Sequence, residues 1–500
     1  MKVIYNILIL FTLISISITS YSQNNFNFIY GSNEWSEIPS EAVEDEQGNI
    51  FIVGYKFVEN DFPNSSFIIK ISPEGLLMNE KSFSVADSSL KLSGIILLDD
   101  SIYLFGTKGP IDIGIENCIC GYILDTDLNV QSFRCHKTYA GDVQIYFQPI
   151  VFLNENFTIC MNFYQAWDAL ADIGFYKLNR NLDSVMCKLD FRDGIQLAYD
   201  FMYSPSQNLY KVFGTGTYPG TYPSYSELIK FDSSFNFLSV DTIPWQLVNQ
   251  FSVKQFDDST YLLTGKKSNY NPTKMNIGLI KANEFDQLQW HNQYGKEGDT
   301  VNYPGVSDGI DFIYKDAIFL GGTSNIIPLH YPWQPEDSWL MLNQLDSNLD
   351  IKWQRFYGGD AFYHLRGLKA TQDGGCLMYA TRYDENTQDQ EFDIYILKVD
   401  SLGIMTSISD NFTIPVQQLS IVPNPANQYV SIRYPDIFGS EEKEIIIYNS
   451  IGIPVKSFNA KEEVSGIRAD ISELPAGLYF VVLMVNGRKT GTGKMIVRHP

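Results

Sequence analysis

The feature that most constrains the fold of this chain is a sequence unit that recurs seven times, at intervals of 51 to 59 residues. Each copy is a polar turn followed by an apolar strand that ends in a small residue. The clear copies are 46–54, 100–106, 208–214, 258–265, 316–321 and 373–380, and a weaker copy ends at Met161. A strand-rich repeat of this length is typical of a β-propeller, in which each repeat forms one blade.

A second unit follows each copy of the first and supplies the rest of a blade. It is a short strand that ends in a polar residue, found at 70–72, 123–125, 177–179, 230–232, 281–283, 344–346 and 398–400. Each leads through a polar turn into a further strand, such as 351–358. Four short strands per period make a blade, because none of them can bury a face alone. We therefore predict an all-β chain with a seven-bladed propeller, with six or eight blades as alternatives. A pair of sandwiches would not carry one motif seven times.

Composition and charge support this class and disfavour others. Phe, Tyr and Trp make up 14% of the residues and charged residues only 19%, a bias toward strands rather than helix bundles or disorder. The net charge is −22, which is the wrong sign for a surface that binds phosphates. We therefore predict that the chain has no nucleic-acid partner.

The start of the chain suggests how the propeller closes and that the protein is exported. Residues 26–31 look like the outer strands that end at Gly295 and Gly358, yet they precede the first repeat. We expect this N-terminal strand to complete the last blade and remove an open edge.

Before this strand, the sequence predicts a secretory signal peptide over 1–22, from Lys2, an apolar run over 3–18 and the small polar residues that follow. The run is short for a membrane span, so we predict a mature chain without a transmembrane anchor.

Six cysteines are too few for a disulfide scaffold. Cys120 and Cys135 would face each other if the segment between them is a hairpin, which makes a cross-strand disulfide one option. Cys160 and Cys376 lie in apolar strands, where a buried free thiol is the commoner state.

The repeats stop after residue 406, which divides the chain into domains. We expect a signal peptide over 1–22, the propeller over 23–406, a linker over 407–415 and a different domain over 416–500. Apolar runs at 429–432, 444–448 and 477–483 predict a small β-sandwich. Pro423 and Pro425 would rigidify its entry, and Gly477 would permit a tight turn before a buried strand.

Four motifs of this C-terminal domain resemble a known family. The segments 419–426, 446–452, 474–479 and 494–497 are similar, in this order, to the type A C-terminal sorting domain of the type IX secretion system of Bacteroidetes. The resemblance implies an Ig-like sandwich that the secretion translocon reads and its sortase then normally cleaves. It implies passage through the periplasm to the medium or the outer cell surface. The motif residues are Pro423, Asn424, Pro425, Gly452, Gly477, Tyr479 and Lys494. The repeats also look like uncharacterised propellers found upstream of such domains.

No catalytic motif stands out in the sequence. The five histidines include no pair at zinc-binding helical spacing, and there is no Gly-x-Ser-x-Gly elbow. The glycine-rich segment 487–494 is one residue too long for a phosphate loop and is interpreted as a hairpin. The segments starting at Asp125 and Asp346 imitate a calcium loop but lack its Gly and Glu, so side-chain-stabilised turns are favoured over calcium. We predict no cofactor.

Aromatic residues mark the best candidate binding surface. The loops between second and third strands are long and aromatic, and a rigid scaffold usually presents its binding residues on such loops. The candidates are Tyr164, Trp167, Tyr218, Tyr222, Tyr225, Tyr270, His330, Tyr331, Trp333 and Trp339, with Tyr383 beside them. The alternative is that they pack against neighbouring loops.

Three functions remain open at this point. The favoured hypothesis is an exported binding or adhesion module for a glycan or a protein. A secreted carbohydrate-active enzyme, a hydrolase or a lyase, would need two carboxylates meeting at the axis, or a pair such as Tyr331 and His330. A structural surface adhesin is the third.

Overall fold

The chain is built from β-strands in a computed structural model. The model describes residues 25–32, 35–58, 61–85, 88–110, 118–137, 150–164, 171–192, 194–217, 225–243, 247–268, 275–295, 301–327, 334, 336–386, 391–405, 417–433, 443–449, 454–460, 466–485 and 488–499. They fall into two compact units, one up to Ser409 and one from Asp410. Within these ranges no helix is long and apolar enough to cross a membrane.

The described strands of the first unit form seven antiparallel sheets, which are the blades of a propeller. Blade 1 is β2 (Ser36–Glu44), β3 (Ile50–Val58), β4 (Asp61–Ile71) and β5 (Leu77–Phe83), and blade 2 is β6 (Ser88–Leu98), β7 (Ser101–Pro110), β8 (Cys118–Asp125) and β9 (Val130–Lys137). Blade 3 is β10 (Ile150–Leu153), β11 (Asn156–Tyr164), β12 (Ala171–Asn179) and β13 (Ser184–Asp190), and blade 4 is β14 (Ile195–Ser204), β15 (Leu209–Thr217), β16 (Tyr225–Asp232) and β17 (Phe237–Thr242). The predicted seven-bladed propeller is confirmed.

The remaining blades follow the same order from the inner strand outward. Blade 5 is β18 (Leu247–Asp257), β19 (Thr260–Ser268), β20 (Met275–Asn283) and β21 (Leu288–Tyr294). Blade 6 has its inner strand in two pieces, β22 (Asn302–Pro304) and β23 (Ile310–Asp311), followed by β24 (Ile318–Ser324), β25 (Trp339–Leu345) and β26 (Ile351–Gly358). Blade 7 is β27 (Phe362–Ala370), β28 (Cys376–Tyr383), β29 (Asp393–Val399) and, from the start of the chain, β1 (Phe26–Tyr30).

The middle strands are apolar without interruption because both of their faces are buried. In β3, residues 50–53 are all fully buried. Phe51 and Val53 pack toward blade 2, whereas Ile50 and Ile52 pack toward blade 7. Since successive strand residues point to opposite faces, each run supplies half of two different blade interfaces. This explains why the repeat ends in an apolar strand rather than an alternating one.

The N-terminal strand joins the two ends of the propeller. β1 pairs antiparallel with β29, from Phe26 opposite Lys398 to Tyr30 opposite Ile394. Phe26 is buried against residues of blades 1 and 7. Blade 7 therefore takes its outermost strand from the start of the chain, which closes the ring of blades.

The turns that follow the third strand of each blade attach it to the preceding blade, and we call them latches. Lys70 of blade 1 donates a hydrogen bond to the Thr126 carbonyl of the blade 2 latch, at 2.9 Å. Phe235 of the blade 4 latch stacks on Phe175 of blade 3, with ring centroids 4.5 Å apart. Comparable contacts join His136 to Leu182, Lys211 to Asp286, Tyr294 to Leu349 and Tyr357 to Gly403. These turns therefore hold neighbouring blades together.

A carboxylate or amide side chain shapes most of the latches. Asp125 Oδ1 accepts hydrogen bonds from the backbone amides of Asp127 and Asn129, at 3.0 and 2.8 Å. Asp346 does the same within its own turn, and so do Asn179, Asp232, Asn283 and Asp400. The prediction that the Asp125 and Asp346 segments are side-chain-stabilised turns is confirmed.

The hairpin of blade 2 also brings two cysteines together. Cys120 of β8 lies opposite Cys135 of β9, and the two form a disulfide. The cross-strand disulfide considered from the sequence is therefore present. Cys160 and Cys376 are buried free thiols, as predicted.

The second unit is a two-sheet sandwich, as its strand pattern predicted. One sheet has the order β30-β37-β36-β33-β34 and the other β31-β32-β35. The strands are β30 (Gln417–Gln418), β31 (Ser420–Val422), β32 (Tyr429–Arg433), β33 (Lys443–Asn449), β34 (Pro454–Asn459), β35 (Gly466–Asp470), β36 (Gly477–Val485) and β37 (Arg488–Val497). Ile432 of the smaller sheet and Val481 of the larger sheet lie in the shared core. Val485 pairs with Arg488, so the glycine-rich segment after β36 belongs to a hairpin.

Candidate functional site

The two ends of the propeller are built from different connections. In a four-stranded antiparallel blade, the turns after the first and third strands lie at one end, which we call the short-turn end. The connections after the second strand and between blades lie at the other, the long-loop end. The latches occupy the short-turn end. The long-loop end receives the connections 165–170, 218–224, 269–274, 325–338 and 384–392.

Most of the candidate aromatics belong to these connections. Trp167, Tyr218, Tyr222, Tyr270, His330, Tyr331 and Trp333 lie outside the described residues. Tyr164 ends β11 and Tyr225 begins β16, which places both at the long-loop end. Trp339 begins β25 there and is half-buried, with its ring nitrogen lying close against Gly359. Tyr383 is buried and its ring packs 5.5 Å from that of Phe392, so for this residue the packing alternative holds.

Lysines paired with aromatic rings form a feature of the long-loop end that sequence reasoning missed. The ammonium of Lys56 lies 5.4 Å from the ring of Trp35, and that of Lys91 lies 4.6 Å from Tyr55. The ammonium of Lys266 lies 3.9 Å from the ring of Tyr303. The rings of Trp35 and Tyr55 are partly exposed and each lies beside a hydrogen-bond donor, whereas the ring of Tyr303 is buried. The partners are 21 to 37 positions apart in sequence, so only the folded blades bring them together.

Three buried or partly buried basic side chains, those of Lys266, His364 and Arg382, also lie at the long-loop end. Burial lowers the pKa of Lys266 to about 8. Burial, followed by the charges of Arg366 and Lys266, lowers the pKa of His364 to about 3, so this imidazole is neutral near pH 7. Arg382 is also buried, and its guanidinium contacts Asp384 at 3.0 Å and Asp360 at 3.3 Å. Near pH 7 the charge of Arg382 is therefore balanced by its carboxylate partners and His364 is neutral. This leaves Lys266 as the cationic group of these three that has no carboxylate contact among the described residues.

A short segment of blade 6, residues 305–309, lies near the axis of the ring of blades, and we call it the axial plug. Its Ser307 amide donates to the Arg366 carbonyl of blade 7 at 2.8 Å, and its hydroxyl donates to the Ser40 carbonyl of blade 1 at 3.1 Å. Its Gly309 amide donates to the Ser252 hydroxyl of blade 5 at 2.9 Å. Contacts with blades 1, 5 and 7 at once are possible only near the centre of the ring.

Charged side chains from several blades meet beside the axial plug. Asp308 accepts a hydrogen bond from Lys369 at 2.8 Å, and Lys369 lies 3.6 Å from Glu41. Lys254 lies 3.7 Å from Asp308 and 3.4 Å from Asp311. Acids from different blades therefore do meet at the axis, which the number of acidic residues made impossible to assign from sequence. Lys369 occupies the space between Glu41 and Asp308, so this pair joins blades 1, 6 and 7 rather than framing an open cleft.

The axial carboxyl groups differ in their protonation. Burial raises the pKa of Glu41 to about 7 despite the nearby Lys369. Burial would also raise the pKa of Asp308, but the charges of Lys369 and Lys254 outweigh it and hold the pKa at about 2. Burial, together with the charge of Asp308, raises the pKa of Asp200 to about 7. Glu41 and Asp200 thus bind protons in the folded protein at pH values where they are ionised in the unfolded chain.

We expect this proton binding to make stability depend on pH. A carboxyl group with a raised folded pKa stabilises the fold below its unfolded pKa, and this contribution is lost as the pH rises through about 7. The melting temperature of the wild type minus that of Asp200→Asn should therefore decrease between pH 5 and pH 8. His364 is present in both proteins and cancels in the difference. A difference that stays constant or grows with pH would contradict the assignment.

In the second unit, the side chain of Asn424, a residue of the sorting motif, has a defined structural role. The peptide bonds before Pro423 and Pro425 are both cis. Between them, the side-chain amide of Asn424 donates to the Lys494 carbonyl at 2.8 Å and accepts from the Ile496 amide at 2.9 Å. It thereby pairs with the edge of β37 as a neighbouring strand would.

The structure also describes the motif residues Tyr479 and Gly477. Tyr479 is buried, and its hydroxyl donates to the Pro475 carbonyl at 2.8 Å. Gly452 lies outside the described residues. Gly477 begins β36, just after a turn in which the Leu474 amide donates to the Ile471 carbonyl at 3.0 Å. A Cβ atom at Gly477 would meet only Tyr479, at 3.7 Å, and the backbone does not adopt the positive φ that favours glycine.

This second unit matches a known family. Residues 420–498 fit the family described as the secretion system C-terminal sorting domain. The C-terminal unit is a type IX sorting domain. The sorting domain directs its chain to the cell surface or into the medium, so this protein is exported. The resemblance seen in the sequence motifs is confirmed.

Comparison with other known proteins gives only distant similarity for the whole chain. The polysaccharide lyase Uly1 is 8% identical over 76% of this chain and 100% of its own, with a TM-score of 0.45. The endosialidase of phage phi92 is 8% identical over 78% of this chain and 71% of its own, with a TM-score of 0.44. Drosophila Semaphorin 2a is 8% identical over 96% of this chain and 98% of its own, with a TM-score of 0.42. No curated protein matches the chain.

Proposed function

We propose that this chain is an exported binding protein whose propeller holds an extracellular glycan at its long-loop end. The observation that carries the proposal is the difference between the two ends. At the short-turn end, the described turns that follow the third strands are engaged in the latches between blades. At the long-loop end, the blades present Lys56 with Trp35 and Lys91 with Tyr55, whose rings are partly exposed.

The chemistry of these pairs favours a glycan over a flat protein partner. The face of a sugar ring carries C–H groups that pack on an aromatic ring, while its hydroxyl and acidic groups accept hydrogen bonds from an ammonium group. Several such pairs at one end would hold successive units of a polymer. The strands that flank the connections containing Tyr222 and Trp333 end or begin at this same end.

Retention on immobilised polysaccharides tests the proposal. We expect the purified full chain to be retained on at least one of a set of bacterial, algal and plant polysaccharides, and more strongly on acidic than on neutral ones. Added salt should weaken retention on the acidic polymers, because the lysine charges contribute to it. If no polysaccharide retains the folded chain, the glycan proposal is wrong, and a protein-contacting adhesin takes its place.

A further inference from the structure

The outer face of the larger sheet in the sorting domain is apolar where a solvated sheet is normally polar. In β36, Tyr479, Val481 and Leu483 point into the core, whereas Leu478 and Phe480 are exposed. Ile496 of the neighbouring β37 is exposed as well and lies opposite Leu478. Three large apolar side chains on one face of two paired strands are the usual mark of an interaction surface.

A groove of about 660 Å³ lies beside this apolar face. Its lining includes Leu419, Ile421 and Phe480, with Asn424 and Lys494 as polar members. Gly493 lets Ile421 approach the strand, because a Cβ atom there would lie 2.5 Å from the Ile421 side chain. The groove therefore depends on a glycine, and two of its lining residues belong to sorting motifs 70 positions apart in the chain.

Among the residues that line this groove, Lys494 is the one that carries a charge. Lys494 is exposed and lies opposite Phe480 in the sheet. A partner that covers this surface must therefore present an apolar group for the groove and a carboxylate for the lysine.

We propose that this groove, with Phe480 and Lys494 beside each other, is the surface by which the type IX secretion machinery holds the sorting domain. The partner segment presents an apolar side chain next to an acidic one. The family match says that the secretion machinery recognises this domain, and the groove is where the separated motif residues Asn424 and Lys494 meet. This inference rests on the sorting role and is independent of the glycan ligand proposed for the propeller.

Export of the full chain from a host with a type IX system tests the surface. We expect Phe480→Ser and Lys494→Glu each to lower the fraction found on the cell surface and in the medium at least tenfold, with the chain accumulating in the periplasm. Lys494→Arg should be exported normally. Tyr429→Ser is the matched control, because Tyr429 is also exposed but lies on the smaller sheet.

The melting temperature of each purified variant separates recognition from folding. Both groove variants should melt within about 2 °C of the wild type, since the exchanged side chains are exposed. Unchanged export of both groove variants would overturn the proposal. An equal loss of export in Tyr429→Ser would overturn it as well, because the effect would then not belong to the groove.

Discussion

Removing residues 25–31 is expected to abolish the single cooperative unfolding transition of the propeller. These residues contain β1, the outermost strand of blade 7, which pairs with β29 over five residues. Without it, β29 becomes an open edge and the contacts of β1 with the blade 1 side of the ring are lost. Circular dichroism during heating should show a broad transition shifted down by at least 10 °C. A melting curve that matches the wild type would contradict closure by the N-terminal strand.

A single substitution tests the same closure without shortening the chain. Phe26→Ala should lower the free energy of unfolding by about 3–5 kcal/mol, the usual cost of removing a buried phenylalanine ring. Phe26 is only 1% exposed and lies against Gly75 of the blade 1 latch. Phe237→Ala is the matched control, because Phe237 is 43% exposed on β17, the outer strand of blade 4. Equal effects of the two substitutions would argue that β1 is no more important than any other outer strand.

The second large effect is expected from a substitution of Asp286. This residue belongs to the blade 5 latch, and its carboxylate lies between two lysines of blade 4. Its carboxylate lies 2.6 Å from Lys211 and 2.7 Å from Lys230, and only 9% of the side chain is exposed. Asp286→Asn should cost about 3–5 kcal/mol, because it leaves the buried ammonium of Lys211 without its counter-charge, whereas Lys230 keeps its contact with Asp241 at 3.0 Å. Urea denaturation of the two proteins measures this difference.

A double variant separates the loss of charge from the loss of shape. Lys211→Met in the Asp286→Asn background should be more stable than Asp286→Asn alone, because it removes the uncompensated buried charge. Asp127→Asn serves as the control, since its carboxylate is 82% exposed beside Lys70 and should change stability little. If the double variant is instead less stable than Asp286→Asn alone, charge compensation is not the reason why Asp286→Asn lowers stability.

The repeats could be interpreted from the sequence because their information is local. A turn residue, an apolar strand and a small residue follow one another within nine positions, so seven copies predict seven blades. The same holds for the Asp125 turn, whose donors are two and four positions away. The sorting domain could be identified for a related reason, since its motifs keep their order along the chain.

The contacts between blades could not be predicted, because they join residues far apart in sequence. The axial plug connects Ser307 with Ser40, and the axial charges connect Asp308 with Lys369. No periodicity distinguishes these residues from the other acids, lysines and serines. Asn424 was named as a motif residue, but its pairing with the edge of β37 depends on the fold.

The candidate binding site was predicted only in part for a similar reason. The loops between second and third strands could be placed at one end from the strand order alone. Whether an aromatic ring in them faces outward depends on its neighbours, as the packing of the buried Tyr383 against Phe392 shows. The lysine beside each ring comes from a different strand or blade, so it could not be paired with the ring from the sequence.

The most direct test of the account is to locate ligand binding at one end of the propeller. The measurement is retention of the full chain and its variants on the polysaccharide that holds the wild type best. We expect Trp333→Ala and Tyr222→Ala, both in connections of the long-loop end, to lower retention at least tenfold. Tyr314→Ala should leave it unchanged, because Tyr314 is exposed in a turn of the short-turn end. Retention that is lost in Tyr314→Ala and kept in the other two variants would contradict the account.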